Sequence, residues 1–148
     1  YDGDYYLEVK KYSDAGTYTV LAQEGQALID DHLNDFTTTS RLTLNEQMTG
    51  DLENFDEIDM FLVNLEGGQT YDFRVLASDS GGGSLDDPIL TLYDQNENRL
   101  DYNDDTFGYD PFIGSFVAGY DGDHYLAVGG YGGPGTYTIL AVEDNIVL

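Results

Sequence analysis

The feature that most constrains this chain is a long internal repeat. The run YDGDHYLAVGGYGGPGTYTILA, Tyr120 to Ala141, restates the opening YDGDYYLEVKKYSDAGTYTVLA, Tyr1 to Ala22. The two align without a gap at an offset of 119 residues, and 14 of the 22 positions are identical. A period of that length is domain-sized and too long for a solenoid unit. The simplest organisation is one complete domain preceded by the closing strand pair of an earlier copy. That places a closing hairpin over residues 1–24, a linker over 25–29, and a complete domain with its C-terminal tail over 30–148.

Inside the domain the apolar residues recur with period two, which is the signature of half-buried strands. Extended segments are expected at Thr38–Leu44, Met48–Leu52, Ile58–Leu65, Thr70–Ala77, Ile89–Tyr93, Arg99–Tyr102 and Phe112–Val117, followed by the closing pair. Asp59, Phe61, Val63 and Leu65 share one face, and the face carrying Phe61 should look inward. In the closing pair, Leu126 and Val128 form the buried face of the first strand. Tyr137, Ile139 and Ala141 share a face of the second. Turn residues punctuate these runs. Glu66-Gly67-Gly68-Gln69 reads as a hairpin turn, Asp94 to Asn98 as a turn, and Ser78 to Ser84 as a Gly/Ser loop. Short strands with no long helical pattern predict an all-β fold, an antiparallel, jelly-roll-like β-sandwich preceded by an extra β-hairpin.

Charge narrows the partners. The formal net charge is −24, from 29 acidic and 5 basic residues. Such a field repels nucleic acid and anionic membranes and attracts cations. No apolar run is long enough for a membrane-spanning helix. The chain has no cysteine, so disulfides and thiol chemistry are excluded. His32 and His124 do not have the spacing of a zinc motif, and no serine sits in a nucleophile elbow. The reading is non-enzymatic.

The densest set of hard oxygen donors is Asp101-Tyr102-Asn103-Asp104-Asp105, with Asp86 and Asp87 ahead of the neighbouring strand. Ca²⁺ takes six to eight oxygens, which clustered carboxylates, an Asn amide and loop carbonyls supply. Glu57 and Asp59 join that site if the start of their strand lies beside the loop. The spacing is not that of an EF-hand, and a merely solvated acidic loop is the alternative. The doublets Asp2/Asp4 and Asp121/Asp123 read as turn signatures carried by the repeat.

Three stretches resemble the bacterial pre-peptidase C-terminal domain: DEIDMFLVNLEGGQTYDFRV from Asp56 to Val75, DDPILTLYDQNENRLDYNDD from Asp86 to Asp105, and the closing run. The resemblance covers Asp30 to Val142. It implies a small β-sandwich without catalytic residues, found in secreted proteins, often beside peptidases and sometimes in tandem, with Ca²⁺ or insoluble polymer as ligands in some members. By resemblance Asp59 matches the acidic position before the strand aromatic, and Asn103, Asp104 and Asp105 match the acidic loop. Glu57 stands where the family commonly has Asp, and Met60 where it commonly has Trp.

Two functions follow as expectations. The first is a calcium-stabilised structural repeat of an extracellular or cell-surface adhesin, fibre or stalk. It would dock onto same-type domains or subunits through the Tyr1–Ala22 hairpin. The alternative is an accessory domain of an extracellular hydrolase, binding a polysaccharide or protein polymer or assisting secretion.

Overall fold

The computed structural model describes residues 8–10 and 30–144. Apart from residues 8–10, the expected leading hairpin and linker lie outside the described residues. Nine strands follow in order: β1 (Arg41–Leu42), β2 (Gln47–Leu52), β3 (Asp59–Leu65), β4 (Thr70–Leu76), β5 (Pro88–Tyr93), β6 (Arg99–Asn103), β7 (Phe112–Val117), β8 (Gly122–Gly130) and β9 (Gly135–Glu143). They form a five-stranded sheet in the order β1-β3-β8-β5-β6 and a four-stranded sheet in the order β2-β9-β4-β7. All pairings are antiparallel except the short β1–β3 ladder, which is parallel. The result is the all-β, jelly-roll-like sandwich expected from the alternation.

The two inner faces meet as the period-two pattern requires. Phe61, Val63 and Leu65 of β3, Leu90 and Leu92 of β5, and Leu126 and Val128 of β8 face Tyr71, Phe73 and Val75 of β4 and Tyr137, Ile139 and Ala141 of β9. Burial of these side chains is the main favourable term, about 1.5–3 kcal/mol for each large one. Two polar groups share the same inner faces, Asp59 and His124.

Pairing departs from expectation at three places. The turn Glu66–Gln69 is tight, with Gln69 N–H donating to Glu66 O at 3.2 Å, yet β3 and β4 do not pair. The turn carries the chain from one sheet to the other. The closing pair does the same, because β8 lies between β3 and β5 while β9 lies between β2 and β4. It is therefore an arch linking interior strands of opposite sheets, and no hairpin forms between them. The β5–β6 pair, joined at the Asp94–Asn98 turn, is a true hairpin. Finally, the strand expected over Thr38–Leu44 contracts to Arg41–Leu42. Short glycine turns permit either a hairpin or a sheet-to-sheet crossing, and the local pattern does not distinguish them.

Residues ahead of β1 close one side of the sandwich. Met60 N–H donates to Leu33 O at 3.0 Å and Leu62 N–H to Ser40 O at 2.8 Å. The Thr38 hydroxyl donates to Met60 O at 2.7 Å. His32 bridges to the other sheet, with Nε2 3.1 Å from Thr49 O on β2 and Nδ1 2.8 Å from the Ser40 hydroxyl. Because Thr49 O only accepts, Nε2 is the donor in that bond.

Candidate functional site

Asp59 is the first residue of β3 and opposes Val128 on β8. The alternation that directs Phe61 inward directs Asp59 inward too, and it is fully buried. One carboxylate oxygen, Oδ2, accepts the Tyr137 hydroxyl at 2.5 Å. Tyr137 reaches it because Gly50, its partner on β2, leaves the space open; a Cβ there would collide with the ring. The other oxygen, Oδ1, is buried with no hydrogen-bond partner, and so is Oε2 of Glu53. An unpaired buried oxygen costs about 1–3 kcal/mol; among the described residues His124 Nε2 is the third buried side-chain atom without a partner.

Around them gather further carboxylates. Asp30, Glu57 and Asp59 bring oxygens to within 4.8 Å of one another, and so do Asp30, Asp31 and Glu53. Glu57 Oε2 also accepts the backbone N–H groups of Glu53 at 2.5 Å and Asn54 at 3.0 Å, which closes the β2–β3 loop beneath the cluster. Burial, reinforced by Asp31, Glu57 and Glu53, pushes the Asp59 carboxyl up to about 8 despite the Tyr137 bond. Burial, with the neighbouring Glu57, pushes Glu53 up to about 7, and burial raises Asp31. Carboxylates crowded in low dielectric resist ionisation unless a cation joins them. The two trios, which share the exposed Asp30, are each an all-oxygen, hard donor set of the kind that suits Ca²⁺ or Mg²⁺.

The remaining expected ligands lie elsewhere. Asp86 and Asp87 precede β5, and Asp101 and Asn103 lie on the neighbouring β6. Asn103 Oδ1 accepts the Thr106 hydroxyl at 2.9 Å and Phe112 N–H at 3.0 Å, so that oxygen stitches the loop. Asp104 accepts the Tyr102 hydroxyl at 2.9 Å, and Asp101 accepts Tyr102 N–H at 2.8 Å. Asp87 is raised by burial and by the charges of Asp105 and Asp104. Among the described residues, none of Asp86, Asp87, Asp101, Asp104 and Asp105 belongs to a group of three carboxylates with converging oxygens. Glu57 and Asp59 thus belong with Asp30, a partner the sequence places in a polar lead. Asp30, Asp31 and Glu53 were not foreseen as ligands; the acidic run DLENFDEID, Asp51 to Asp59, carries a signal for Glu53, and the polar lead carries none for Asp30 and Asp31.

Within the described residues, the doublet Asp121/Asp123 braces turns; Asp2/Asp4 lie outside them. Asp121 Oδ1 accepts Gly67 N–H at 2.6 Å. Asp123 accepts both arms of the Arg41 guanidinium at 2.8 and 3.2 Å, and Asn64 at 3.1 Å. These bonds, Arg41 foremost, hold its carboxyl at about 2.

Beside the carboxylate cluster, a groove of about 230 Å³ opens on the outer face of the five-stranded sheet. Phe55 and Ile58 form one wall, Ala127 and Gly129 the floor, and Thr91 and Tyr93 the far side. Phe55 is 71 % exposed and Ile58 43 %. The Phe55 ring lies over Gly133, whose φ of 101° and close ring contact both exclude a side chain. Phe36 packs edge-on against Tyr93 and Tyr125, with ring centroids 5.4 and 5.0 Å away. On the next strand, Tyr102 opposes Thr91, and its hydroxyl lies 3.4 Å from that of exposed Tyr131. Glu57 lines the groove and belongs to the cluster, so the two are physically joined.

The chain lacks cysteine. Its Ser40–His32 contact is a strap: the ring packs on Phe61, and its second nitrogen faces a backbone carbonyl. Among the described residues no helix is long and apolar enough to cross a membrane.

No family model matches the chain, and no curated protein matches it. Among solved structures, the lysozyme inhibitor PliG of Aeromonas hydrophila, a periplasmic inhibitor of g-type lysozyme, is 10 % identical. That match covers 69 % of this chain and 94 % of that one, at a TM-score of 0.48. The pre-peptidase C-terminal domain of a collagenase from Bacillus anthracis is 25 % identical over 69 % of this chain and 92 % of that one, at a TM-score of 0.55. In fold, the chain is distantly and partially similar to a bacterial pre-peptidase C-terminal domain.

Proposed function

We propose that this chain is a non-catalytic accessory module of an extracellular hydrolase. In this reading it holds an insoluble polymer substrate in the groove of the five-stranded sheet and is stiffened by Ca²⁺ at the Asp59 cluster. The observation that carries the reading is the groove itself, an exposed aromatic wall over a floor of small residues. Exposed aromatic and aliphatic groups around a concave floor are what a binding face needs. The likeness to the collagenase domain supports the accessory role. Asp30, Asp31, Glu53, Glu57 and Asp59 would hold the cation. When bound, it supplies the positive charge that lets these carboxylates ionise together. Glu57 then fixes the β2–β3 loop that carries Phe55 and Ile58, and Asp30 and Asp31 fasten the lead segment to the sandwich.

Co-sedimentation with insoluble protein fibres, cellulose and chitin tests the binding role. The wild type should pellet with one of these polymers, and Phe55→Ala together with Ile58→Ser should stay in solution while melting normally. Equal pelleting of both forms, or pelleting with none of the polymers, refutes the groove as the binding face.

The second reading, a structural repeat of a surface adhesin or fibre, is favoured by the duplication of Tyr1–Ala22 in Tyr120–Ala141. Removal of residues 1–25 discriminates. Loss of end-to-end particles by electron microscopy supports this reading, and unchanged particles exclude it.

A further inference from the structure

The opposite sheet carries a feature that neither the cluster nor the polymer groove uses. Arg74 projects from β4 on the outer face of the four-stranded sheet, and its guanidinium lies over two rings, 4.7 Å from the Phe112 centroid and 5.3 Å from that of Phe107. The two rings are themselves 5.6 Å apart. Among the described residues, Arg74 has no carboxylate within salt-bridge distance and makes no side-chain hydrogen bond. In a chain with 29 acidic residues that isolation is informative. Arg41 shows the contrast, since both of its arms are spent on Asp123.

The neighbouring carboxylates have other work. Asp110 is buried and accepts Ala77 N–H at 3.1 Å and Ser80 N–H at 3.2 Å. Asp72 accepts Ser115 N–H and Asp79 accepts Tyr109 N–H. Next to the guanidinium, a pocket of about 160 Å³ is walled by Leu76, Phe107 and Pro111, with Ser80 at its side and the buried Asp110, whose two oxygens are held by the Ala77 and Ser80 N–H groups, also lining it. A cavity of about 150 Å³ accepts a benzene-sized group. The Ser80 hydroxyl makes no hydrogen bond among the described residues. The slot therefore offers a planar fork already held in place by two rings, one hydroxyl, and room for one apolar side chain. Cation–π stacking leaves the in-plane N–H donors of an arginine free for a carboxylate, and prior immobilisation lowers the entropic cost of binding.

We propose that this pocket binds the C-terminal carboxylate of a peptide ending in an apolar residue. Arg74 would engage the carboxylate through two N–H groups, with Ser80 donating a third hydrogen bond, and the terminal side chain would fill the space between Leu76, Phe107 and Pro111. A peptide end is favoured over a simple anion because the charge-binding group and the apolar pocket adjoin.

The test is an amide-resolved NMR titration of the full chain with N-acetyl-leucine, N-acetyl-leucinamide and acetate. N-acetyl-leucine should give saturable shifts confined to the Arg74 side chain, Ser80 and Phe107, with a dissociation constant on the order of 1 mM. The amide and acetate should each bind at least about tenfold more weakly, the ratio expected for loss of a charge-assisted pair or of the side-chain contact. Arg74→Gln and, separately, Phe107→Ala should abolish saturation, while Arg41→Gln should not. Equal binding of the amide, equal binding of acetate, or no saturation overturns the proposal. Phe107→Ala serves as the second variant should Arg74→Gln unfold. Because the slot and the polymer groove lie on opposite sheets, Phe55→Ala leaves this titration unchanged whichever way the groove experiment falls.

Discussion

Two acidic regions of this sandwich look alike on paper and differ in the fold. The run Asp101 to Asp105 is dense in carboxylates, but its polar atoms are engaged locally: Asn103 ties the loop, Asp104 holds Tyr102, and the strand is largely exposed. The cluster at Asp59 is assembled from three separate stretches, the lead segment, the β2–β3 loop and the start of β3. It contains two buried oxygens with no partner. Density of acid in the sequence marks solvation as readily as chemistry. Buried, unsatisfied acid marks a place where something is needed, because folding bears its desolvation cost.

The largest expected effect separates the two regions by calcium. At a hundredfold excess over its dissociation constant, a bound cation stabilises the fold by about 2.7 kcal/mol. In a domain of this size that raises the melting temperature by roughly 10 °C or more. Calorimetry with calcium and with chelator should show that rise in the wild type. Asp59→Asn should remove it, and the double variant Asp104→Asn, Asp105→Asn should retain it. Loss of the shift only in the loop variant would reverse the assignment.

A second effect sharpens the cluster by pH. Burial pushes the Asp59 carboxyl up to about 8 and the Glu53 carboxyl up to about 7, both above ordinary carboxylates. A raised acid binds its proton more tightly when folded, so its stabilising contribution is complete below about 4, near the unfolded value, and is lost as pH rises. Without calcium, urea midpoints should therefore fall between pH 5 and about 8. Saturating calcium should flatten that slope, and Asp59→Asn should reduce it without calcium, leaving the part that Glu53 contributes. A midpoint that rises over the same range contradicts the burial of these groups as acids.

A third, smaller effect concerns the join between cluster and groove. Glu57→Gln keeps the size of the side chain and removes its charge. It should lower polymer binding several-fold in the sedimentation experiment and reduce the calcium shift together with it. A change in one without the other would uncouple the two sites. The smallest effect belongs to the Arg41–Asp123 pair, which is bidentate but half exposed. Screening by solvent limits such a pair to about 0.2–1 kcal/mol. Arg41→Ala should shift the melting temperature by only a few degrees, and less in high salt. The depressed Asp123 carboxyl contributes above about 4 and loses its contribution as pH falls toward about 2.

Much of the sandwich was legible from alternation. Phe61, Val63 and Leu65, Leu126 and Val128, and Tyr137, Ile139 and Ala141 all took the faces their period assigned. Pairing was not legible. Gly67-Gly68 and Gly132-Gly133 make tight connections, and a tight connection serves a hairpin or a sheet-to-sheet arch equally well. Which one forms depends on where β8 and β9 find their neighbours, and that is a long-range property. The site was half legible. Asp59 shared the face of Phe61, so its burial followed from the alternation, and Glu57 was named with it. Asp30 and Asp31 were obscure because they sit in a polar lead with no period. Bonds from Met60 to Leu33, from Leu62 to Ser40 and from the Thr38 hydroxyl to Met60, with His32 packed on Phe61, bring that lead against β3.

The most direct test of the central claim is an anomalous difference map from a crystal grown with calcium. The account predicts a peak among the carboxylates of Asp30, Glu57 and Asp59, with Asp59 Oδ1 among its ligands. A peak within the Asp101–Asp105 loop alone, or no peak at either place, would contradict it.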